Sequence, residues 1–218
     1  MPELLANVVR GETVESVHSG HLAIIDGEGS TVFECGEPST VTFLRSSAKP
    51  FQTIPFLTSG AADAFGFTED EIAMSIASHS GEPMHVERVK RMLEKTGFTE
   101  ADLRCGAHLP FNEQASEAIM RSGEQPNQLH NNCSGKHTAM LAFAKHIGAD
   151  PANYEDKDHR IQKRIIRCMA DFARMPEDTI AVAIDGCAAP NFAIPVRAMA
   201  VSFANLRSEE HTSELQSH

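Results

Sequence analysis

Ser46 and Lys49 have the residue types and the spacing of a nucleophile and its base. A serine hydroxyl is a poor nucleophile until a neighbouring group removes its proton. A lysine amine does this only when burial or a nearby cation lowers its pKa from the usual value of about 10.4, and Arg45 is such a cation. If a helix runs from Ser46 to Leu57, with Pro50 in its first turn, positions i and i+3 share one face and the two side chains touch. The spacing therefore predicts a serine–lysine pair.

The same S-x-x-K spacing carries the nucleophile of serine β-lactamases and penicillin-binding proteins. It is nevertheless a weak signal, because a chain of this length should contain about one such match by chance. An ordinary helix start, with a serine cap and a solvated lysine, explains the motif equally well. The motif taken alone leaves both interpretations open.

Three further polar runs stand at the ends of predicted helices or strands. ASHSGE at residues 77–82 ends a predicted helix over 72–78, where small polar residues and a glycine usually serve as a C-terminal cap. The alternative interpretation is that the serine hydroxyls of this run face a cleft. DGCAAPN at residues 185–191 follows a predicted buried strand over 179–184, and functional residues commonly lie in loops of this kind.

The third of these runs, HNNCSGKH at residues 130–137, precedes a predicted helix over 138–147. Burying so many polar side chains is unfavourable unless each finds a partner. The run therefore indicates a functional role, an elaborate helix N-cap, or an anion site formed by a helix N-terminus and Lys136. It is not a phosphate-binding loop, because the G-x-x-x-x-G-K-[ST] spacing is absent.

The sequence predicts both strands and helices to position these runs. Short apolar runs separated by Gly11, Gly20 and residues 27–29 predict antiparallel strands between residues 4 and 36. A threonine cap at Thr68 with Glu71 three residues later predicts the start of the helix that ends in ASHSGE. Apolar periodicity predicts the remaining helices over 83–96, 114–121, 158–173 and 195–206.

The composition and charge of the chain exclude several classes of protein. The chain has 218 residues, 41% hydrophobic and 22% charged, which fits one large or two small globular domains. A net charge of -11 without a basic cluster argues against nucleic acid and against anionic membrane surfaces. No apolar run has the length of a membrane span and no signal peptide is visible, so a cytoplasmic location is expected.

The cysteines are odd in number and scattered in spacing. Without a secretory signal, such a set suits free thiols or metal ligands better than a disulfide framework. The five are Cys35, Cys105, Cys133, Cys168 and Cys187.

Residues 207–218, RSEEHTSELQSH, resemble the in-frame translation of a common sequencing-library adapter. We therefore predict that residues 1–206 are native and that the tail is not, with the gene cut at Leu206. A natural polar tail is the alternative.

Four runs taken together carry a resemblance: RSSAKPFQ, ASHSGE, HNNCSGKHTAM and DGCAAPNFAIP, in that order. In these runs the sequence resembles the rhizobial-type L-asparaginases, the asparaginase II family, over essentially residues 4–206. The resemblance implies an α+β fold of the serine β-lactamase and glutaminase type, here incomplete at its C-terminus. It also implies a hydrolase that converts L-asparagine to aspartate and ammonia through an acyl-enzyme.

The resemblance assigns catalytic roles to Ser46 as nucleophile, Lys49 as its base and Ser78 as a second active-site serine. A lysine paired with that second serine is expected in a part of the family's chains beyond Leu206, so this chain is expected to be inactive. The remaining alternative is a catalytically inactive zinc-binding module with a structural or binding role.

The resemblance also implies a zinc site made by Cys133, Lys136 and Cys187. Two thiolates suit zinc, whereas lysine is an unusual ligand because it must lose its proton. From the residues alone, His137 or His130 is the more usual third ligand.

Substrate contacts are expected at Arg45, His137 and Asp185. Charge matching places Arg45 at the α-carboxylate of L-asparagine and Asp185 at its α-amino group. The family also implies a homodimer.

Overall fold

The computed structural model describes residues 1–207, so the predicted adapter-derived tail, apart from Arg207, lies outside the described residues. The chain divides into two compact units. Among the described residues, the first unit comprises residues 1–44, 169–181 and 193–207, and the second comprises residues 45–168 and 182–192. No described helix is both long enough and apolar enough to cross a membrane.

The first unit contains the predicted antiparallel strands. Strand β1 (Glu3–Arg10) pairs with β2 (Thr13–Gly20) across a turn in which Gly11 adopts φ +62°, and β3 (Leu22–Ile25) pairs with β4 (Thr31–Cys35). Strand β5 (Val41–Phe43) pairs antiparallel with residues 193–195 of β7 (Pro190–Pro195), which begins in the second unit. Helix α8 (Val196–Arg207) packs against β3.

The second unit is mainly helical. Its helices are α1 (Lys49–Thr58), α2 (Ala61–Ala64), α3 (Glu69–Ile76), α4 (Pro83–Thr96), α5 (Glu113–Ser122), α6 (Ser134–His146) and α7 (Arg160–Ala173). The last turn of α7 belongs to the first unit. Strand β6 (Ala181–Ile184) neighbours β7 in a sheet.

Helix α6 forms the centre of the second unit. Residues 134–144 are all buried, and the helix contacts α1, α2, α3 and α4. A helix buried on every side needs partners for its polar residues as well as for its apolar ones. Close approach to α3 depends on Gly135, since a Cβ at this position would lie 2.7 Å from Cγ of Met74. The polar run before α6 therefore enters the most tightly packed part of the unit.

The predicted helix starts and ends agree with the structure in several places. Thr68 caps α3, and its N–H donates to Glu71 Oε2 over 2.9 Å, as in a capping box. Gly97 ends α4 in the left-handed conformation, at φ +72°. The largest difference is at α6, which begins at residue 134 rather than 138, because residues 134–137 find buried partners and join the helix.

The described chain is a mixed α+β structure, and the specific serine β-lactamase-like arrangement stays a prediction.

Candidate active site

Lys49 is the central residue of the candidate site. It opens α1 and only 1% of its surface is exposed. Its Nζ donates to Ala77 O over 2.6 Å, to Ser78 Oγ over 2.8 Å and to Asn132 O over 3.3 Å. Burial is the main cause that lowers the pKa of Lys49, and the charge of Lys136 lowers it further. The amine thus joins two of the predicted polar runs and has the environment that a lysine base requires.

Ser46 is placed differently from the expectation based on spacing. Residues 45–48 form a 3₁₀ turn and the α-helix begins only at Lys49, with Pro50 in its first turn. Ser46 is exposed, and the described hydrogen bonds include none between its hydroxyl and Lys49. The contact between the Ser46 and Lys49 side chains therefore stays a prediction. Lys49 contacts Ser78, the second predicted serine, instead.

Arg45 and Asp185, the two predicted charge-matching residues, lie together. Arg45 Nη2 and Asp185 Oδ1 are 3.1 Å apart, with 70% of the arginine side chain and 15% of the aspartate side chain exposed. Arg45 adopts φ +54°, which is unfavourable for a non-glycine residue, and its backbone N–H donates to Asn191 Oδ1 over 3.1 Å. Asn191, from the DGCAAPN run, thus holds the backbone immediately before Ser46.

His79 ties the Ser78 segment to helix α6. Its Nδ1 accepts a hydrogen bond from the N–H of Gly81 over 3.2 Å, and its Nε2 lies 2.8 Å from Ser134 Oγ. Because Nδ1 accepts, Nε2 carries the proton and donates to Ser134, whose hydroxyl donates to Leu129 O over 3.1 Å. Burial lowers the pKa of His79 to about 4, so its ring is neutral at pH 7. Sequence reasoning assigned His79 no role, because a histidine between two serines gives no sign of its partners.

The predicted metal ligands Cys133, Lys136 and Cys187 come together from separate segments. Each is at most 5% exposed, and Lys136 Nζ lies 3.2 Å from Cys187 Sγ. Interaction between the two thiols raises the pKa of Cys133 and lowers that of Cys187. One proton thus stays on Cys133 and Cys187 is the sulfur that ionises first.

These side chains form a soft donor set of two sulfurs and one amine. Within residues 1–207, no group of three histidine, cysteine, aspartate or glutamate side chains is arranged to hold a metal ion. A zinc site here therefore depends on Lys136 as the third protein ligand. The two adjacent sulfurs are suitable zinc ligands, and the lysine amine can coordinate zinc once it is deprotonated.

His137 lies next to this cluster but has no exposed surface. Its Nδ1 is 2.7 Å from the hydroxyl of Tyr154, and the Tyr154 hydroxyl also accepts the N–H of Arg104 over 2.9 Å. The predicted contact between His137 and substrate would require the ring to become accessible. Tyr154 is the only tyrosine of the chain and is fully buried, which is a signal that sequence reasoning did not use.

All nine residues predicted from the sequence lie in the second unit. The lysine–serine contact is linked to the thiol cluster along the chain, since Lys49 Nζ also donates to the carbonyl of Asn132, which immediately precedes Cys133. A buried lysine hydrogen-bonded to a serine hydroxyl is an arrangement suited to acyl transfer.

A family model described as L-asparaginase II matches residues 6–218. The chain therefore belongs to the L-asparaginase II family, which confirms the resemblance carried by its four motifs, and that family indicates an asparaginase-type amidohydrolase with a small-molecule substrate. Comparison with curated proteins gave no match.

Proposed function

We propose that this protein hydrolyses the side-chain amide of L-asparagine to aspartate and ammonia through a serine acyl-enzyme. The family supports an asparaginase-type reaction. The observation that carries the mechanism is the 2.8 Å hydrogen bond between Lys49 Nζ and Ser78 Oγ in a buried setting that lowers the pKa of the lysine. A base must lie within hydrogen-bond reach of the proton that it removes, and Lys49 meets this condition for the hydroxyl of Ser78.

In the proposed reaction Ser46 attacks the amide carbon and Lys49 takes up the proton that the hydroxyl loses. The tetrahedral intermediate collapses, the C–N bond breaks, and Lys49 returns the proton to the departing ammonia. Water then attacks the ester carbonyl carbon and releases aspartate and the free serine. As a neutral amine Lys49 has two hydrogens and a lone pair that takes up the hydroxyl proton. In the resulting ammonium form its three hydrogens have Ala77 O, Ser78 Oγ and Asn132 O as acceptors.

A second assignment of the nucleophile is favoured by one observation. Lys49 contacts Ser78 in this structure and makes no hydrogen bond to Ser46. If this contact persists in the substrate complex, Ser78 is the acylated residue and Ser46 has an accessory role. The two assignments share the substrate, the base and the product.

Arg45 and Asp185 form the proposed recognition pair for the zwitterionic end of the substrate. The guanidinium of Arg45 is mostly exposed and takes the α-carboxylate, while Asp185 takes the α-ammonium group. In the structure the two side chains neutralise each other across 3.1 Å. The substrate supplies one charge for each, so binding replaces one ion pair by two.

Cys133, Lys136 and Cys187 are the proposed zinc ligands. A zinc ion held by these residues would act as a Lewis acid toward substrate or water. The protein's own contribution is to hold the two sulfurs and the amine in a buried cluster.

The test is ammonia release from L-asparagine with zinc supplied, combined with mass spectrometry of the acyl-enzyme. Ser46→Ala and Ser78→Ala are compared with Ser122→Ala on the exposed end of α5, which should keep full activity. An aspartyl adduct on the peptide containing Ser46 supports the first assignment, and an adduct on Ser78 supports the second. Full activity in both serine variants contradicts the serine mechanism.

A further inference from the structure

Arg45 has a backbone conformation that residues other than glycine rarely adopt. Its φ is +54°, in the left-handed region, where glycine fits without steric cost and a residue with a side chain is strained. Such a residue persists only when its surroundings hold it, and residues of this kind are concentrated at active sites. Arg45 immediately precedes Ser46, so its backbone conformation determines where the proposed nucleophile lies.

The side chain of Asn191 holds this conformation. Its Oδ1 accepts the backbone N–H of Arg45 over 3.1 Å and the backbone N–H of Phe192 over 2.9 Å. Because both partners can only donate, the oxygen of the amide faces them and its NH₂ group does not. Asn191 is also 4% exposed, which leaves its amide little freedom to turn. Two donors on one oxygen thus fix the orientation of this side chain.

A second hydrogen bond joins the same part of the chain to helix α1. Gln52, three residues after Lys49, donates from Nε2 to Pro190 O over 3.0 Å and is 5% exposed. Pro190 and Asn191 are adjacent, so together they bind the first and the last residue of the RSSAKPFQ run. The proposed nucleophile and its base lie between these two contacts. Residues 190 and 191 therefore hold both ends of the run that carries the chemistry.

Asp185 contacts the other end of Arg45. Arg45 Nη2 lies 3.1 Å from Asp185 Oδ1, so the DGCAAPN run binds both the backbone and the guanidinium of this arginine. In the proposed function the substrate replaces this ion pair, and the guanidinium then leaves Asp185 for the α-carboxylate. The hydrogen bond to Asn191 involves only the backbone of Arg45, so it does not depend on that ion pair.

We propose that Asn191 is a positioning residue for Arg45 and Ser46: its Oδ1 keeps the arginine backbone left-handed while the guanidinium exchanges its partner carboxylate for that of the substrate. The proposal rests on the proposed function, in which Arg45 binds the substrate and Ser46 attacks it. It also explains an arginine at a position that favours glycine, since glycine would relieve the strain but has no guanidinium to bind a carboxylate.

Replacing and then restoring the acceptor oxygen tests this role in catalysis. Asn191→Leu keeps the branched shape of the side chain without the oxygen, and Asn191→Asp restores the oxygen. With zinc supplied, we expect kcat for L-asparagine to fall about 10²-fold in Asn191→Leu, because a displacement of about 1 Å at a reacting group has an effect of this size. Asn191→Asp should recover most of this loss.

The matched control is Asn205→Leu in the first unit. Asn205 is 2% exposed, and its side chain also makes two hydrogen bonds, accepting from Arg174 Nη2 and donating to Phe172 O. This variant should lose stability but keep the wild-type kcat per folded molecule. The comparison separates the loss of a buried asparagine from the loss of its effect on Ser46.

NMR spectra of the wild-type chain test the backbone directly and require no variant to fold. A positive φ brings the amide and α hydrogens of a residue close together, so Arg45 should show a strong NOE between them. Its amide hydrogen should also exchange slowly with D₂O. Both signals should persist when the product L-aspartate is added. In Asn191→Leu the NOE should weaken and the exchange should become faster.

The outcomes separate this role from the proposed function. A weak NOE at Arg45 in the wild type, or loss of the NOE when L-aspartate is added, overturns the proposal, as does wild-type kcat in folded Asn191→Leu. A raised KM with unchanged kcat contradicts the role toward Ser46 and limits it to Arg45. A wild type that shows the strong NOE but releases no ammonia from L-asparagine contradicts the proposed function, and the positioning role in catalysis fails with it.

Discussion

The two units of the chain differ in which side chains they bury. The second unit contains a set of almost completely buried polar side chains: Lys49, His79, Asn131, Ser134, Lys136 and His137 are each at most 4% exposed. The first unit does the opposite on its strands, where Leu4, Val9, Val17, Val32 and Phe33 are each more than half exposed. Burial of polar groups is unfavourable unless each is hydrogen-bonded, whereas an exposed apolar side chain contributes little to folding.

This difference shows where the chain is constrained by function. In the second unit, polar side chains from four sequence runs satisfy one another, so a change at one of them leaves a buried group without its partner. In the first unit, a polar replacement on a strand face removes little buried area. Substitutions should therefore have large effects at polar positions of the second unit and small effects at apolar positions of the first.

Lys49→Met should have the largest effect on activity. Methionine fills much of the same volume without the amine, so the fold should persist while general-base catalysis is lost, at a cost of about 10²- to 10⁴-fold in kcat. Steady-state ammonia release gives kcat, and circular dichroism controls for folding. Wild-type turnover in this variant is incompatible with the proposed base.

Gly135→Ala should have the largest effect on stability. The added Cβ would lie 2.7 Å from Met74 Cγ in the tight contact between α6 and α3, and overpacking of this kind costs about 1–3 kcal/mol. Urea unfolding measures the change. The matched control is Gly186→Ala in the same unit, where a Cβ meets no atom within 4 Å. Equal stability of the two variants would show that α6 has room to move.

His79→Gln should remove a pH dependence of stability. In the folded protein the pKa of His79 is lowered from 6.5 to about 4, so between these values the unfolded chain binds a proton that the folded chain does not. Wild-type stability should thus fall as pH falls from 6.5 toward 4, by up to about 3 kcal/mol from this group. Unfolding free energies at several pH values test this.

The glutamine variant lacks that titration, so its stability should fall less over the same range. His146→Gln, at an exposed histidine, serves as the control and should follow wild type. Parallel pH profiles for wild type and His79→Gln would show that the ring is not held neutral by burial.

Val32→Thr should have the smallest effect. Val32 is 63% exposed on β4 of the first unit, and an isosteric hydroxyl there should change stability by no more than about 0.5 kcal/mol. Val89→Thr on α4, where the side chain is fully buried, should cost about 1–3 kcal/mol. Thermal or urea unfolding of the pair measures both. A large loss at Val32 would mean that the strand face of the first unit is covered in solution.

The sequence predicted the elements of the fold well where local signals are strong. Thr68 and Glu71 marked the start of α3, and Gly97 marked the end of α4, because caps act within one turn of the chain. The start of α6 was placed four residues too late, since the polar residues 134–137 join the helix only when distant partners satisfy them. Local propensity contains no information about such partners.

The sequence alone indicates the family, the four polar runs and the residue types that these runs contribute. Which of these residues form pairs is known only from the folded structure: Lys49 with Ser78, Arg45 with Asp185, and His137 with Tyr154. Sequence spacing fixes neighbours only within one helix, such as positions i and i+3. The other contacts join atoms 17 to 140 residues apart, at distances near 3 Å that depend on how the segments pack.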